Sequence, residues 1–142
     1  MSAHLFPSET WASAYEEALN TNPDYARAGR DWTHGAVAMV VTADPALDLP
    51  EDMAILLDVD SGKCRSAKFM NATLAREQAP FVVEGNYARW SELIRAGADP
   101  IKALMQGKFK LTKGHLPTMI RYVESSKQLL ISAQKIDSEF RA

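Results

Sequence analysis

A short segment between two glycines, residues 107–114, constrains the fold more than any other part of the chain. Its lysines alternate with Phe109 and Leu111, the period-two pattern of a strand with one face in a core and one in water. Apolar residues follow helical spacing directly before it, in 101–105, and directly after it, in 116–123. A strand between two apolar-faced helices, in a chain without a polar catalytic cluster, predicts an enclosed apolar space.

Length and charge narrow the class of protein. The 142 residues fit one domain, 1–142, and 46% apolar with 24% charged residues is an ordinary globular composition. With 16 basic and 18 acidic side chains, the chain lacks the basic excess that a nucleic-acid binder needs to neutralise phosphates. A local basic patch at Lys102, Lys108, Lys110 and Lys113 is compatible with this balance. We therefore expect no nucleic-acid partner.

The compartment is predicted from cysteine usage and from hydropathy. The chain has one cysteine, Cys64, so it contains no internal disulfide and suits a reducing environment. Its amino terminus shows neither the basic start nor the apolar run of a secretory signal. The longest apolar stretch, residues 35–41, is too short to cross a bilayer. These features predict a cytoplasmic protein with at most transient membrane contact.

Helix and strand patterns alternate along the whole chain. Ser8, Asn22 and Asp99 each stand where a helix cap belongs, the last two directly before a proline. The patterns predict helices over 8–20, 22–29 and 87–97, from 99 to before 107, and one or two helices over 116–138. They predict strands over 35–42, 53–59, 64–70, 80–85 and 107–114. This order predicts an α+β fold with one mostly antiparallel sheet covered by helices.

Catalytic signals are weak throughout. His4, His34 and His115 stand far apart and show no metal-ligand spacing, and Cys64 has no neighbouring histidine in sequence. Neither a Gly-x-Ser-x-Gly elbow nor a glycine-rich phosphate loop occurs. We expect a protein that is not an enzyme and needs no metal or other cofactor.

Three stretches carry a resemblance to a known family. The first is Phe6-Pro7-Ser8-Glu9-x-Trp11, followed by Ala14-Tyr15, Leu19-Asn20, Tyr25, Ala28 and Trp32. The second is Leu57-Asp58-Val59 with Gly62-Lys63-Cys64. The third and most specific is Ala103-Leu104-Met105-x-Gly107-Lys108-Phe109-Lys110-Leu111. From about Phe6 to Phe140 the chain resembles the stand-alone bacterial and archaeal members of the sterol carrier protein family.

The resemblance implies a five-stranded, mostly antiparallel sheet covered by helices that enclose a hydrophobic tunnel. It also implies non-catalytic binding and transfer of a fatty acid, fatty acyl-CoA, isoprenoid or sterol. Large apolar side chains and flexible methionines would form ordinary core in any domain, but methionines also suit a wall that repacks around varied ligands. The residues that we expect to contact the ligand are Trp11, Tyr15, Trp32, Met39, Ile55, Leu57, Phe69, Phe81, Trp90, Ile94, Leu104, Met105, Phe109, Leu111, Met119, Ile120 and Val123.

A second hypothesis uses the same fold as a dimerisation or interaction module, with its apolar groove filled by a partner helix. A homodimer is compatible with either hypothesis. The tail, residues 116–140, distinguishes the two. If it closes over an internal void, the carrier hypothesis is favoured, and if it reaches into a neighbouring subunit, the module is favoured.

Overall fold

The computed structural model describes residues 3–141 and has a five-stranded sheet at its centre. In chain order the elements are β1 (His4–Phe6), α1 (Glu9–Asn20), α2 (Pro23–Ala28), β2 (Val37–Val41), a 3₁₀ turn (Pro45–Leu47), β3 (Met53–Asp60), β4 (Lys63–Asn71), α3 (Ala72–Gln78), β5 (Phe81–Gly85), α4 (Tyr87–Ala96), α5 (Pro100–Met105), β6 (Lys110–Lys113), α6 (Leu116–Arg121), α7 (Val123–Gln134) and β7 (Ser138–Phe140).

The strand order in the central sheet is β4-β3-β2-β5-β6. Only β2 and β5 run parallel, and the other three neighbouring pairs are antiparallel. The predicted α+β class with a five-stranded, mostly antiparallel sheet is therefore confirmed. The fifth strand is shorter than predicted, because Gly107 takes a φ of +78° in the turn after α5 and regular pairing starts only at Lys110.

The two faces of the sheet carry side chains of different size. On one face Met39 lies beside Ile55 and Val83, and this face packs into the larger core together with side chains of most of the helices. On the other face Ala38 and Val40 pack with the alanines of α3 in a smaller core. Side chains alternate between the two faces with period two, so the large and the small residues of these strands are separated. The large groups therefore lie on the first face, between the sheet and most of the helices.

Local capping explains where the helices begin. The Ser8 hydroxyl accepts a hydrogen bond from the Trp11 N–H at 3.1 Å, and the Asp99 carboxylate accepts from Ile101 and Lys102. Asn22 caps α2 through Asp24, so all three predicted caps are confirmed. The tail forms two helices, α6 and α7, and both pack on the rest of this chain rather than projecting from it.

Two features of the fold were not predicted. Helix α3 was missed because its buried side chains are alanines, and its one large apolar residue, Leu74, is 46% exposed. A second sheet joins the two ends of the chain, where β1 runs parallel to β7 with His4 opposite Ser138. Each of these strands has three residues, too few to show a period-two pattern.

Candidate functional site

A cavity of about 80 Å³ lies between the sheet face that carries Met39 and Val83 and helices α1, α4, α5, α6 and α7. We call it the main cavity. Strands β2, β3 and β5 provide its floor through Met39, Leu57 and Val83. Helix α7 closes the opposite side with Leu130 and Ala133.

Eight of the residues predicted from the sequence meet in the wall of the main cavity. They are Tyr15, Met39, Leu57, Trp90, Ile94, Leu104, Phe109 and Met119. Trp90 and Phe109 hold each other in place edge to face, with ring centroids 4.6 Å apart, and the Trp90 indole N–H donates to the Val40 carbonyl at 2.8 Å. These two wall residues are thus held by their contact with each other and by the bond from Trp90 to strand β2.

Other predicted residues are packed elsewhere. Trp11 is fully buried at the junction of the chain ends, where its indole N–H donates to Ser138 Oγ at 2.8 Å and its ring meets Phe6 edge-on. Six more of the predicted residues lie within or against the larger core but outside the wall of the main cavity. They are Trp32, Ile55, Phe69, Phe81, Leu111 and Val123.

The expectation that Met105 and Ile120 face the cavity is wrong. The Met105 side chain is 67% exposed and the Ile120 side chain is 42% exposed. Helices α5 and α6 have six residues each and direct one narrow face inward, which is occupied by Ile101, Leu104 and Met119. The next residue along each helix is rotated by roughly 100° and therefore points into solvent.

Sequence reasoning missed about half of the wall. These residues are Val37, Val83, Leu93, Pro100, Ile101, Ser126, Leu129, Leu130 and Ala133. Period-two spacing from Met39 leads to Val37, and helical spacing from Trp90 leads to Leu93, so a signal existed for both. Pro100 and Ser126 carry no such signal, because a cap proline and a helical serine are ordinary at any surface.

A second, smaller space adjoins the main cavity. This second lobe has a volume of about 30 Å³ and is lined by Tyr25, Trp32, Val37, Val59, Met119, Tyr122, Ser125, Ser126 and Leu129. Val37, Met119, Ser126 and Leu129 belong to both walls, so these side chains stand between the two spaces. Trp32, a predicted site residue, lines this lobe.

Both spaces are electrically neutral. Among residues 3–141, no Asp, Glu, Lys, Arg or His side chain lines either wall. The Tyr15 hydroxyl donates to the Leu129 carbonyl at 2.8 Å, and burial raises the pKa of this tyrosine well above its ordinary value. Of the polar groups in the main cavity, the Tyr15 hydroxyl and the Trp90 indole thus already have partners.

Reactive groups lie outside this site. Burial, with lesser contributions from Glu16 and Asp58, raises the pKa of the Cys64 thiol to about 12, so it stays protonated. Within residues 3–141 no three His, Cys, Asp or Glu side chains gather as a metal site would require. In the same part of the chain, no helix has the length and apolar character needed to cross a membrane.

Among known proteins, the chain is similar to solved structures but not to family models or curated sequences. No protein-family model and no curated protein sequence matches the chain. Among solved structures, a crystal structure of sterol carrier protein 2 has a TM-score of 0.84 and 32% identity, over 91% of this chain and 97% of that one. The solution structure of TT1886 from Thermus thermophilus, a hypothetical protein described as a sterol carrier candidate, gives 0.86 and 32%, over 98% and 94%.

A third structure extends the fold beyond close sequence similarity. The apo form of sterol carrier protein 2 from Yarrowia lipolytica has a TM-score of 0.53 at 14% identity, over 86% of this chain and 88% of that one, and it shows the shared fold alone. The two closer structures combine 32% identity with more than 90% coverage of both chains. On that basis, the chain belongs to the sterol carrier protein family.

Proposed function

We propose that this protein binds a lipid-like molecule in the main cavity and carries it without catalysis. The observation behind the proposal is the chemistry of the cavity wall. Of its side chains, only those of Tyr15, Trp90 and Ser126 carry a polar group, and those of Tyr15 and Trp90 already donate to backbone carbonyls. Such a wall offers a ligand contact with apolar surface and no charged group, which favours a hydrocarbon chain.

The shape of the cavity narrows the ligand further. About 80 Å³ is well below the roughly 300–1,000 Å³ of pockets that hold small molecules, so the wall must move apart to admit a ligand. Met39 and Met119 can change rotamers at little cost, and α5 is a short helix near the surface. A flexible acyl or isoprenoid chain needs a smaller displacement than the rigid rings of a sterol. Among the fatty acid, acyl-CoA, isoprenoid and sterol classes, we favour the chain-like ones.

The expected affinity suits a carrier that must also release its ligand. Burial of a dozen methylenes contributes roughly 10 kcal/mol at ~0.8 kcal/mol each. Lost freedom on association offsets on the order of 4–15 kcal/mol of this. Binding in the micromolar range or weaker follows, and the ligand can leave again on contact with an acceptor.

The position of the tail supports a carrier over an interaction module. Helices α6 and α7 contribute Met119, Leu129, Leu130 and Ala133 to the wall of this chain's own cavity. We propose the cytoplasm as the compartment, because a single buried cysteine suits a reducing environment. Transient membrane contact and a homodimer remain predictions, as does the absence of a nucleic-acid partner.

Native mass spectrometry of the purified protein, followed by organic extraction, tests the proposal directly. We expect a stoichiometric acyl or isoprenoid adduct, or stoichiometric uptake of long-chain fatty acids and alcohols added to the empty protein. A protein that takes up none of these ligands and runs as a tight dimer would contradict the carrier and favour the interaction module.

A pair of variants localises binding to the main cavity. Ala133→Phe places a ring in the cavity from a side chain that is 1% exposed, and we expect at least a tenfold loss of lipid affinity. Ile131→Phe adds the same ring to a 40% exposed position of the same helix and should leave affinity unchanged. Because Ala133→Phe can overpack the core, Leu104→Phe, at a half-buried wall position, provides a second test. Equal affinities in all variants would place the ligand elsewhere.

A further inference from the structure

We infer that the second lobe is a polar subsite that holds the hydroxyl head of an amphiphilic ligand whose tail lies in the main cavity. The inference rests on the proposed function and adds to it an orientation and a head-group class. It concerns the hydroxyl groups of three residues that line the lobe, Tyr25, Ser125 and Ser126.

These hydroxyls differ from others nearby in having no partner. The hydroxyls of Tyr15 and Tyr122 donate to the carbonyls of Leu129 and Asp31. Within residues 3–141, no comparable hydrogen bond reaches the side chains of Tyr25, Ser125 or Ser126, although Tyr25 is only 1% exposed and Ser125 only 6%. Buried hydroxyls without a partner are uncommon, and they indicate a place for a water molecule or a polar ligand group.

The hydroxyls of Tyr25 and Ser125 retain some accessible surface, although they have no hydrogen-bond partner within residues 3–141. In the part of the chain that the structure describes, Arg141 Nε is the one polar side-chain atom that has neither a hydrogen-bond partner nor accessible surface. The Tyr25 and Ser125 hydroxyls do not share that condition, and their residues are almost completely buried. Both residues line the second lobe, which we take to be the space beside these hydroxyls.

The lobe and the main cavity can hold one continuous molecule. Met119 and Leu129 line both spaces and are the flexible side chains between them. A change of the Met119 rotamer opens a passage without moving the backbone, because an unbranched thioether side chain has several staggered conformations of similar energy. The hydrocarbon chain of a ligand that lies among Met39, Leu104 and Trp90 then continues to a head group beside Tyr25.

The chemistry of the wall selects a hydroxyl over a charged head. The described residues place no cationic side chain in the wall of the lobe, so a carboxylate or phosphate there would lose its hydration without gaining a counter-charge. Burial, together with the nearby Cys64, raises the pKa of Tyr25, which therefore remains a neutral phenol. A ligand hydroxyl can both donate and accept, as the three protein hydroxyls can. The ligand class is thus a long-chain or isoprenoid alcohol.

Matched ligands test the head-group assignment. A long-chain alcohol, its methyl ether and the fatty acid of equal length are titrated into the protein, and the change in emission of the native tryptophans is followed. Trp90 reports on the main cavity and Trp32 on the second lobe. We expect the alcohol to bind roughly tenfold more tightly than the ether, since the ether has lost its donor, and more tightly than the ionised acid.

Two variants assign the effect to the lobe. Tyr25→Phe should bring the affinities for alcohol and ether close together, and Ser125→Ala should reduce the difference in part. Tyr122→Phe is the matched control, because its ring lines the same lobe while its hydroxyl is bonded to Asp31. It should keep the full preference for the alcohol. Thermal unfolding of each variant confirms that it folds.

The possible outcomes distinguish a failure of the polar subsite from a failure of the proposed carrier function. Equal binding of alcohol and ether, unaffected by Tyr25→Phe, would overturn the subsite and assign the lobe to bound water while leaving the carrier intact. An acid that binds as tightly as the alcohol, with the same dependence on Tyr25, would overturn the hydroxyl class. Failure of all three ligands to bind would instead contradict the carrier itself.

Discussion

Gly62 and Gly107 have similar backbone conformations but different surroundings. Their φ angles are +82° and +78°, both in the left-handed region that favours glycine. A Cβ added to Gly62 would lie 2.3 Å from the Ala26 carbonyl oxygen, whereas no atom of the described residues, apart from the adjacent ones, lies within 4 Å of a Cβ at Gly107. The turn between β3 and β4 therefore touches α2 too closely for any side chain.

We expect Gly107→Ala to destabilise the protein by about 1–2 kcal/mol, the cost of a left-handed alanine. Gly62→Ala should lose about 1–3 kcal/mol more, because the backbone of α2 must move away. Urea unfolding of both variants measures the difference, in which the backbone term cancels. Equal losses would mean that the contact between the turn and α2 yields without cost.

The two glycines show which part of a residue's role can be predicted from the sequence. Asp60-Ser61-Gly62-Lys63 predicts a hairpin turn, and the glycine is expected there because the turn needs a positive φ. Its contact with Ala26 depends on how a helix from another part of the chain is placed, which no local pattern encodes. The same limit applies to Tyr25 and Ser125, which are distant in sequence and meet at the second lobe.

At the scale of elements, Asn22 links the start of α2 to α7. Its side-chain oxygen accepts from the Asp24 N–H, and its amide nitrogen donates to Gln128 Oε1 at 3.1 Å and to Ser132 Oγ at 3.0 Å. The residue is 2% exposed, so these bonds have little competition from water. Asn71 caps α3 through Thr73 in the same way but is exposed and has no such second role.

We expect Asn22→Ala to lower the free energy of unfolding by about 2–4 kcal/mol, because both the cap and buried hydrogen bonds are lost. Asn71→Ala should cost about 1 kcal/mol, the typical value for an exposed cap. Chemical denaturation compares the two variants. Similar losses would show that the link to α7 contributes little, and that Asn22 acts only as a cap.

Arg76 joins α3 to strand β5 and to the loop before β3 through two carboxylates. Its Nη2 lies 2.8 Å from Asp52 Oδ2 and 2.6 Å from Glu84 Oε1. Hydrogen bonds from this guanidinium are the main reason why the pKa values of Asp52 and Glu84 lie below their ordinary values of 3.8 and 4.5. The stabilisation is complete above those ordinary values and is lost as the pH falls through the lowered ones.

We therefore expect Arg76→Gln to flatten the acid side of the stability profile. The difference in free energy of unfolding between the parent and the variant should be largest above about pH 5. It should shrink as the pH falls through the range in which both carboxyls become protonated. Arg65→Gln removes an exposed pair with Asp58 and serves as the control. A constant difference between parent and Arg76→Gln at every pH would exclude the electrostatic explanation.

Elements with large apolar side chains were predictable, and elements built from small ones were not. Trp11, Tyr15 and Leu19 predict α1 from their spacing, and the alternation of 53–59 predicts β3. Helix α3 turns Ala72 and Ala75 toward the sheet, and alanine gives hardly any contrast between a buried and an exposed face. Of the cavity wall, only the residues indicated by alternation along a strand or by helical spacing could be predicted.

At the scale of the whole molecule, charge is unevenly distributed. Residues 100–123 carry five of the 16 basic residues and none of the 18 acidic ones, in a chain of net charge −2. The same segment contains three of the five exposed large apolar side chains, those of Met105, Leu116 and Ile120. It also provides Ile101, Leu104 and Met119 to the main cavity, so the basic segment borders the cavity itself.

We expect this segment to make the transient membrane contact that a carrier needs. Basic side chains favour an anionic surface by about 1 kcal/mol each, and exposed apolar side chains add contact with the lipid. Lys102, Lys108, Lys110 and Arg121 form no ion pair within residues 3–141, whereas the Lys113 ammonium donates to the Arg76 carbonyl. These four side chains are therefore free to meet lipid phosphates.

Flotation with vesicles measures the contact. We expect the protein to float with vesicles that contain phosphatidylserine, to float less as salt is added, and to remain unbound with phosphatidylcholine alone. Replacement of Lys102, Lys108, Lys110 and Arg121 by Gln should weaken binding by roughly fivefold per charge. The same replacement of four exposed basic residues outside the segment, Lys63, Lys68, Arg89 and Lys135, changes the net charge equally and should have a much smaller effect.

The apolar residues of the segment have a matched control of their own. Met105→Ser with Ile120→Ser removes apolar surface beside the cavity, and Leu74→Ser with Ile131→Ser removes a similar amount elsewhere. Only the first pair should reduce the binding that persists at high salt, because screening acts on charges and leaves hydrophobic contact in place. If both quadruple variants and both double variants behave alike, the contact is a property of net charge and hydropathy rather than of this face. The ligand would then have to reach the cavity from another side of the fold.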